Sequence, residues 1–187
     1  MKKGLLIILM ICLSLSSCKK IIDSAASLSK EDITAKDLVE VSVNDDYLIS
    51  IPDYMKEMTS LNDDASFQYA NIYKETYTIV IDEDKQEFID AFKEIGIYND
   101  SLSVIENYSE YQVKSFQESL SSDEAKELDF NLKNLTAKQF ELNGIIDGIN
   151  GNYLIGFVES DAKMYMLMSW TVDDSYKKYK NTFQLIQ

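Results

Sequence analysis

Histidine and arginine are absent from the 187 residues, and there are only two cysteines, one tryptophan and a single proline. Each absence removes chemistry. Without imidazole there is no Ser-His or Cys-His activation of a nucleophile and no histidine metal ligand. Without guanidinium there is no bidentate clamp for phosphate. The cations are 18 lysines against 32 acids, a formal charge of −14. A surface of that sign is repelled by phosphate backbones, which excludes nucleic acid as a partner class. With 45% apolar residues and six glycines, the composition is that of one compact domain with a short appendage.

Long hydrophobic runs are also scarce, with one exception at the start. Met1-Lys2-Lys3-Gly4 is followed by nine apolar residues, Leu5 to Leu13, before Ser14, Ser16, Ser17 and Lys19 end the run. A bilayer core of ~30 Å needs roughly 20 apolar residues at ~1.5 Å each, so this is a cleavable leader rather than a permanent span.

Leu15-Ser16-Ser17-Cys18 resembles the lipobox of bacterial lipoproteins: an aliphatic residue, two small ones, then cysteine. The resemblance implies that residues 1–17 are a lipoprotein signal peptide, that the cut falls between Ser17 and Cys18, and that Cys18 carries the lipid. Several acyl chains on one residue give durable anchoring where one gives only marginal binding. Cys12 would leave with the leader and Cys18 would be lipidated, so the mature chain would hold no thiol for a disulfide or a metal. Loss of Lys2 and Lys3 would leave 16 lysines against 32 acids, a balance of −16. Residues 18–36 read as the lipidated cysteine and a spacer of small and polar residues, either a coil reaching about 20 Å or a short helix over 21–28. The residue after the cysteine is Lys19 rather than an aspartate, which favours the outer membrane over the inner, with the Lys19-Lys20 pair able to touch anionic lipid.

From residue 37 the pattern changes to short apolar runs separated by acidic, Asn or Gly turns. Val39, Val41 and Val43 alternate with polar residues, and Asn44-Asp45-Asp46 leads into Tyr47 to Ile51, which predicts a hairpin. Pro52 stops its second strand, residues 53–58 predict one helical turn, and two strands follow over 67–73 and 77–81. Asp84 with Glu87 has capping-box spacing, and Phe88, Ile89, Phe92 and Ile95 share a helical face before Gly96. A second helix is predicted over 102–120, its stripe interrupted at Gln112. Extended segments follow over 128–132, 137–146, 153–159 and 163–172, and a last helix begins at Asp173 or Asp174 with Tyr176, Tyr179, Phe183 and Ile186 on one face. Strands apolar on both sides of the pleat must be covered on both faces. The expected fold is therefore α+β, an antiparallel β-sheet with helices on both faces: the middle pair on one side and the last helix on the other.

This order of elements, with Tyr47-Leu-Ile-Ser-Ile-Pro52, Tyr77-Thr-Ile-Val-Ile-Asp-Glu83 and Gly151-Asn-Tyr-Leu-Ile-Gly-Phe-Val-Glu159, resembles the PsbP-like domains over residues 37–187. That fold is shared by the photosystem extrinsic protein PsbP, the Ran-binding Mog proteins and small bacterial envelope lipoproteins. The resemblance implies an α/β/α sandwich and a protein-binding or assembly-stabilising role, and it supplies no catalytic or cofactor residue.

Acidic doublets are the remaining candidates. Asp45-Asp46, Asp63-Asp64, Asp123-Glu124 and Asp173-Asp174 lack the spacing of a calcium loop and read as turn and cap residues, with Asp45-Asp46 and Asp63-Asp64 the seat of any cation if they meet. Asp82, Glu83 and Glu159 stand at strand ends and would serve a carboxylate-dependent hydrolase if two of them faced one cleft. Tyr69, Tyr73, Tyr77, Tyr165 and Trp170 form either a partner-facing aromatic patch or, more simply, core. The expected protein is a lipid-anchored, non-catalytic envelope protein with no cofactor and no metal, bound to an envelope protein partner. A small-ligand carrier or sensor with an enclosed apolar pocket is the first alternative, and a hydrolase the second.

Overall fold

The computed structural model describes residues 35–122, 124–130, 132, 134–146, 148–173, 175 and 176. The expected leader, Cys18, the expected spacer up to residue 34 and the part of the expected last helix beyond Tyr176 lie outside the described residues.

A single 3-10 turn, Ala35–Asp37, leads into the hairpin of β1 (Leu38–Val43) and β2 (Tyr47–Pro52). Asn44 and Asp45 take φ of 50° and 55°, a left-handed backbone that Asn and Asp tolerate. The hairpin is a two-stranded sheet of its own. The main sheet has seven strands: β3 (Lys56–Glu57), β4 (Phe67–Asn71), β5 (Thr76–Asp84), β6 (Ala125–Leu128), β7 (Thr136–Ile146), β8 (Ile149–Glu159) and β9 (Lys163–Val172). Their spatial order is β3-β4-β5-β9-β8-β7-β6, with every neighbour antiparallel. The fold is thus the expected α+β architecture.

Two helices, α1 (Lys85–Glu94) and α2 (Val104–Leu120), join β5 to β6. The Asp84 carboxylate accepts hydrogen bonds from the Gln86 and Glu87 amides and so caps α1, as its spacing predicts. The full capping box is at α2, where the Glu106 carboxylate accepts from Ser103 N–H and the Ser103 hydroxyl caps the Glu106 amide. Gly96, at φ 73°, follows α1.

Alternation along the strands sorts the core into two layers. Ile79, Phe157, Met164, Met166, Met168 and Trp170 face α1 and α2, packing with Phe88, Phe92, Tyr108 and Phe116. On the opposite face Val80 and Leu154 pack with Phe67 and Met55 under Val43, Ile49 and Ile51 of the hairpin. Both faces of the central strands are therefore covered, as their apolar pleats require. The middle helices lie together on one face, as expected. On the other, the described cover is the hairpin together with Tyr176, in the first turn after β9.

Three local expectations fail. Residues 53–58 form no helical turn: Lys56 and Glu57 instead pair with Ala70 and Tyr69 as β3. The strand expected over 128–132 is displaced to β6, which pairs with Leu142 to Gln139 of β7. The strand expected over 67–73 stops at Asn71, whose side-chain oxygen accepts from the Tyr73 and Lys74 amides and turns the chain. Among the described residues no helix is long and apolar enough to cross a membrane.

Candidate functional site

Polar side chains converge where the β1–β2 turn meets the end of β5 and the start of β9. Lys163 Nζ donates to Asp46 at 2.6 Å and to Asp82 at 2.7 Å, joining hairpin and sheet. The Tyr165 hydroxyl donates to Asp46 at 3.3 Å, and the Tyr47 hydroxyl shares a hydrogen bond of 2.9 Å with Ser66. Tyr47 and Tyr165 also meet edge to face, with centroids 5.4 Å apart. Burial works against the Asp82 charge, but the hydrogen bonds from Lys163 and Ser66 outweigh it and hold its carboxyl below the usual range. Its two carboxylate partners push the Lys163 ammonium well up. Burial drives the Tyr47 phenol to about 12.

The other strand-end acids point elsewhere. Glu83 faces the helix layer, where burial raises its carboxyl while the Tyr108 hydroxyl draws it back. Burial, then the nearby Glu83 charge, pushes the Tyr108 phenol far above its ordinary value. Glu159 is tied to Lys85 at 2.5 Å, and the same ammonium donates to the Ser160 carbonyl. Asp82 thus belongs to the latch, Glu83 is half-buried beneath the helices, and Glu159 is held in an ion pair. Glu83 and Glu159 both pair with Met164, from β5 and from β8, so they share the helix-facing side of the sheet two strands apart, with Glu159 committed to Lys85.

Asp45-Asp46 and Asp63-Asp64 do not join. Asp46 is committed to Lys163, while the Asp64 amide donates to Asn62 in a local turn. Among the described residues no three Asp, Glu, Cys or His side chains converge as metal ligands. Of the expected aromatics, Trp170 is buried and stacks on Tyr77 at 5.2 Å, and Tyr69 stacks on Phe67 at 4.4 Å. Tyr73 is the exposed one, at 63%. These residues are core and rim rather than a continuous platform.

Two clefts open on the described surface. One, of about 410 Å³, lies between the end of α2 and the β7–β8 hairpin and is lined by Ser121, Ser122, Asn143, Asn150, Asn152 and Asp173 among others. The second, of about 430 Å³, runs between the edge of β1 and β4 past Ser42, Asn44, Ser66 and Gln68. Both are open, the first of mixed lining and the second largely polar, unlike the enclosed apolar cavity that a lipophilic carrier requires. The Lys163 cluster was invisible to sequence reasoning, since its members are 81 and 117 positions apart.

No protein-family model and no curated protein matches the chain. Solved structures do. The cyanobacterial PsbP (CyanoP) of Synechocystis sp. PCC 6803 superposes with a TM-score of 0.51 at 12% identity, covering 86% of this chain and 96% of its own. A protein of unknown function from Pseudomonas aeruginosa superposes at 0.46 and 11% identity over 79% of this chain and 91% of that one. The fold is therefore the PsbP-like sandwich, and at this identity the likeness extends to fold alone.

Proposed function

We propose that the chain is a lipid-anchored, non-catalytic protein of the bacterial cell envelope whose PsbP-like domain binds another protein or steadies an assembly. The observation that carries the anchor is Leu15-Ser16-Ser17-Cys18 at the end of a short apolar leader, with Ser17-Cys18 the cleavage site and Cys18 the lipidated residue. Residues 1–17 are then the signal peptide, 18–36 the lipidated tether and 37–187 the domain. Lys19 favours the outer membrane. The non-catalytic reading is supported by the ion pairs of Asp82 and Glu159, each of which holds a lysine. The fold, hosted by PsbP-type proteins, supports a role in protein association.

Detergent phase partitioning of cell membranes tests the anchor: the protein enters the detergent phase, and Cys18→Ala leaves it in the aqueous phase. Equal partitioning of the two would refute it. Crosslinking in intact cells, followed by mass spectrometry of the captured species, tests the association. One defined envelope protein captured in proportion to the bait supports it, and a bait that stays monomeric overturns it.

A further inference from the structure

The two ends of the seven-stranded sheet are unlike. One end holds the β1–β2 turn, the end of β5 and the start of β9, and it presents Asp45, Asp46, Asp82, Asp84 and Asp161. The other end is defined by a rung of polar residues across five strands: Asn71, Thr76, Thr171, Asn152 and Asn143. Beyond that rung lie the β4–β5 turn and the tip of the β7–β8 hairpin. Nine large apolar side chains are exposed among the described residues, and five belong to this end: Ile72, Tyr73, Ile145, Ile149 and, near the start of β1, Val39. Singly such residues need no explanation, but their gathering at one end does.

The tip is a prong. The last pairing of β9 is Val172 with Gly151, whereas the β7–β8 ladder continues through Ile145 with Asn150 and Ile146 with Ile149. Two further pairs at ~3.4 Å per residue carry the tip about 7 Å past its neighbour. Three strand spacings separate the two apolar turns, which sets them about 14 Å apart.

The chain enters the fold at this same end. Leu38, the first residue of β1, pairs with Pro52. Just after Pro52 the Tyr54 carbonyl accepts from the side chain of Asn71, the residue that begins the β4–β5 turn. Residues 19–34 are all that separates Cys18 from Ala35. Such a length spans about 20 Å as a coil and at most on the order of 55 Å when extended.

We infer that this end of the sheet is a membrane-contacting surface, with Ile72, Tyr73, Ile145 and Ile149 resting in the interfacial layer of the bilayer that holds the lipid on Cys18. The inference rests on the reading of Cys18 as lipidated. A body tethered this closely meets the bilayer at a high effective concentration, so a small apolar contact is populated that a free protein would not make. Aliphatic tips beside a tyrosine suit the boundary between headgroups and chains. The acidic end is repelled by anionic headgroups and turns outward, which fixes the orientation. At the contact end Asp173 accepts from Asn152 at 2.7 Å and Glu75 from Ser175 at 3.5 Å.

The test uses the full lipidated mature protein in vesicles of phosphatidylcholine mixed with anionic phosphatidylglycerol, with an environment-sensitive NBD label at Ile145→Cys, Tyr73→Cys or Asp161→Cys and spin-labelled lipids as quenchers. Labels at 145 and 73 are expected to brighten and to be quenched several-fold more than the label at 161. Adding Ile149→Ser to the Tyr73→Cys protein should reduce that quenching while flotation with the vesicles persists. Flotation with all three labels equally unquenched overturns the contact and leaves the anchor standing; equal quenching at all three overturns the orientation. Failure of the unsubstituted protein to float removes the anchor and, with it, the contact.

Discussion

Lys163 reaches two carboxylates from distant parts of the chain, one on the hairpin turn and one on β5, and it is their shared counter-charge. Its side chain is 36% exposed, so solvent screens the pair and its contribution is modest. Lys163→Met should lower stability by about 1 kcal/mol in urea denaturation, with the difference from wild type shrinking near 1 M salt, where the Debye length is ~3 Å. The acids on either side of the pleat respond to pH with opposite signs. The Asp82 carboxyl is held low, so its contribution is present above an unfolded value near ~3.9 and is lost as pH falls through the lower folded value. The Glu83 carboxyl is raised by burial, so ionising it opposes folding. That penalty is absent below an unfolded value near ~4.3 and grows as pH rises through the folded one. Glu83→Gln should therefore raise the urea midpoint at neutral pH and give no gain in acid. Equal gain at both pH values would show that burial of the Glu83 charge is not the cause.

At the level of elements, α2 is seated on β7 by a missing side chain. A Cβ on Gly144 would stand 2.4 Å from the Leu120 Cβ and 2.8 Å from its carbonyl oxygen, so backbone must move to admit it. Gly144→Ala should cost about 1–3 kcal/mol, measured by thermal or urea unfolding, although alanine suits a strand better than glycine does. The hairpin behaves differently, because it shares no backbone ladder with the main sheet and is held by Val43, Ile49, Ile51 and the Lys163 latch. Hydrogen exchange should find the β1–β2 amides opening before those of β8 and β9, and Lys163→Met should accelerate the former alone. These elements also show what was readable from residues. The hairpin, both helices and the long strands carry their own periodicity and turn chemistry, so Val39-Val41-Val43, Phe88-Phe92 and the Met164-Met166-Met168 alternation announce them. β3 does not: Lys56-Glu57 has no strand character and is extended only because Ala70 and Tyr69 lie beside it. The latch was unreadable for the same reason, since an isolated lysine at 163 says nothing of the turn at Asp46 until the topology brings them together.

For the whole molecule, separation of apolar and acidic ends gives the fold a direction. An excess of 16 negative charges in the chain after residue 17, from 32 acids against 16 lysines, makes residues 18–187 carrying Cys18→Ala a body that anion-exchange resin holds and anionic vesicles reject. Co-sedimentation of that variant with phosphatidylserine vesicles should stay at background, and appreciable binding would show that the apolar end outweighs the charge without any lipid. The order in which the sheet is assembled has a consequence of its own. Its middle strand, β9, is the last one described, and it zips Thr76 to Thr171 and Gly151 to Val172 in the same stroke. Until residue 163 or so has been made, β5 and β8 have nothing between them, and the buried methionines that both strands require are not yet there. Contacts so far apart in sequence form slowly. A chain of this design closes its main sheet only when β9 arrives to join the two halves already made.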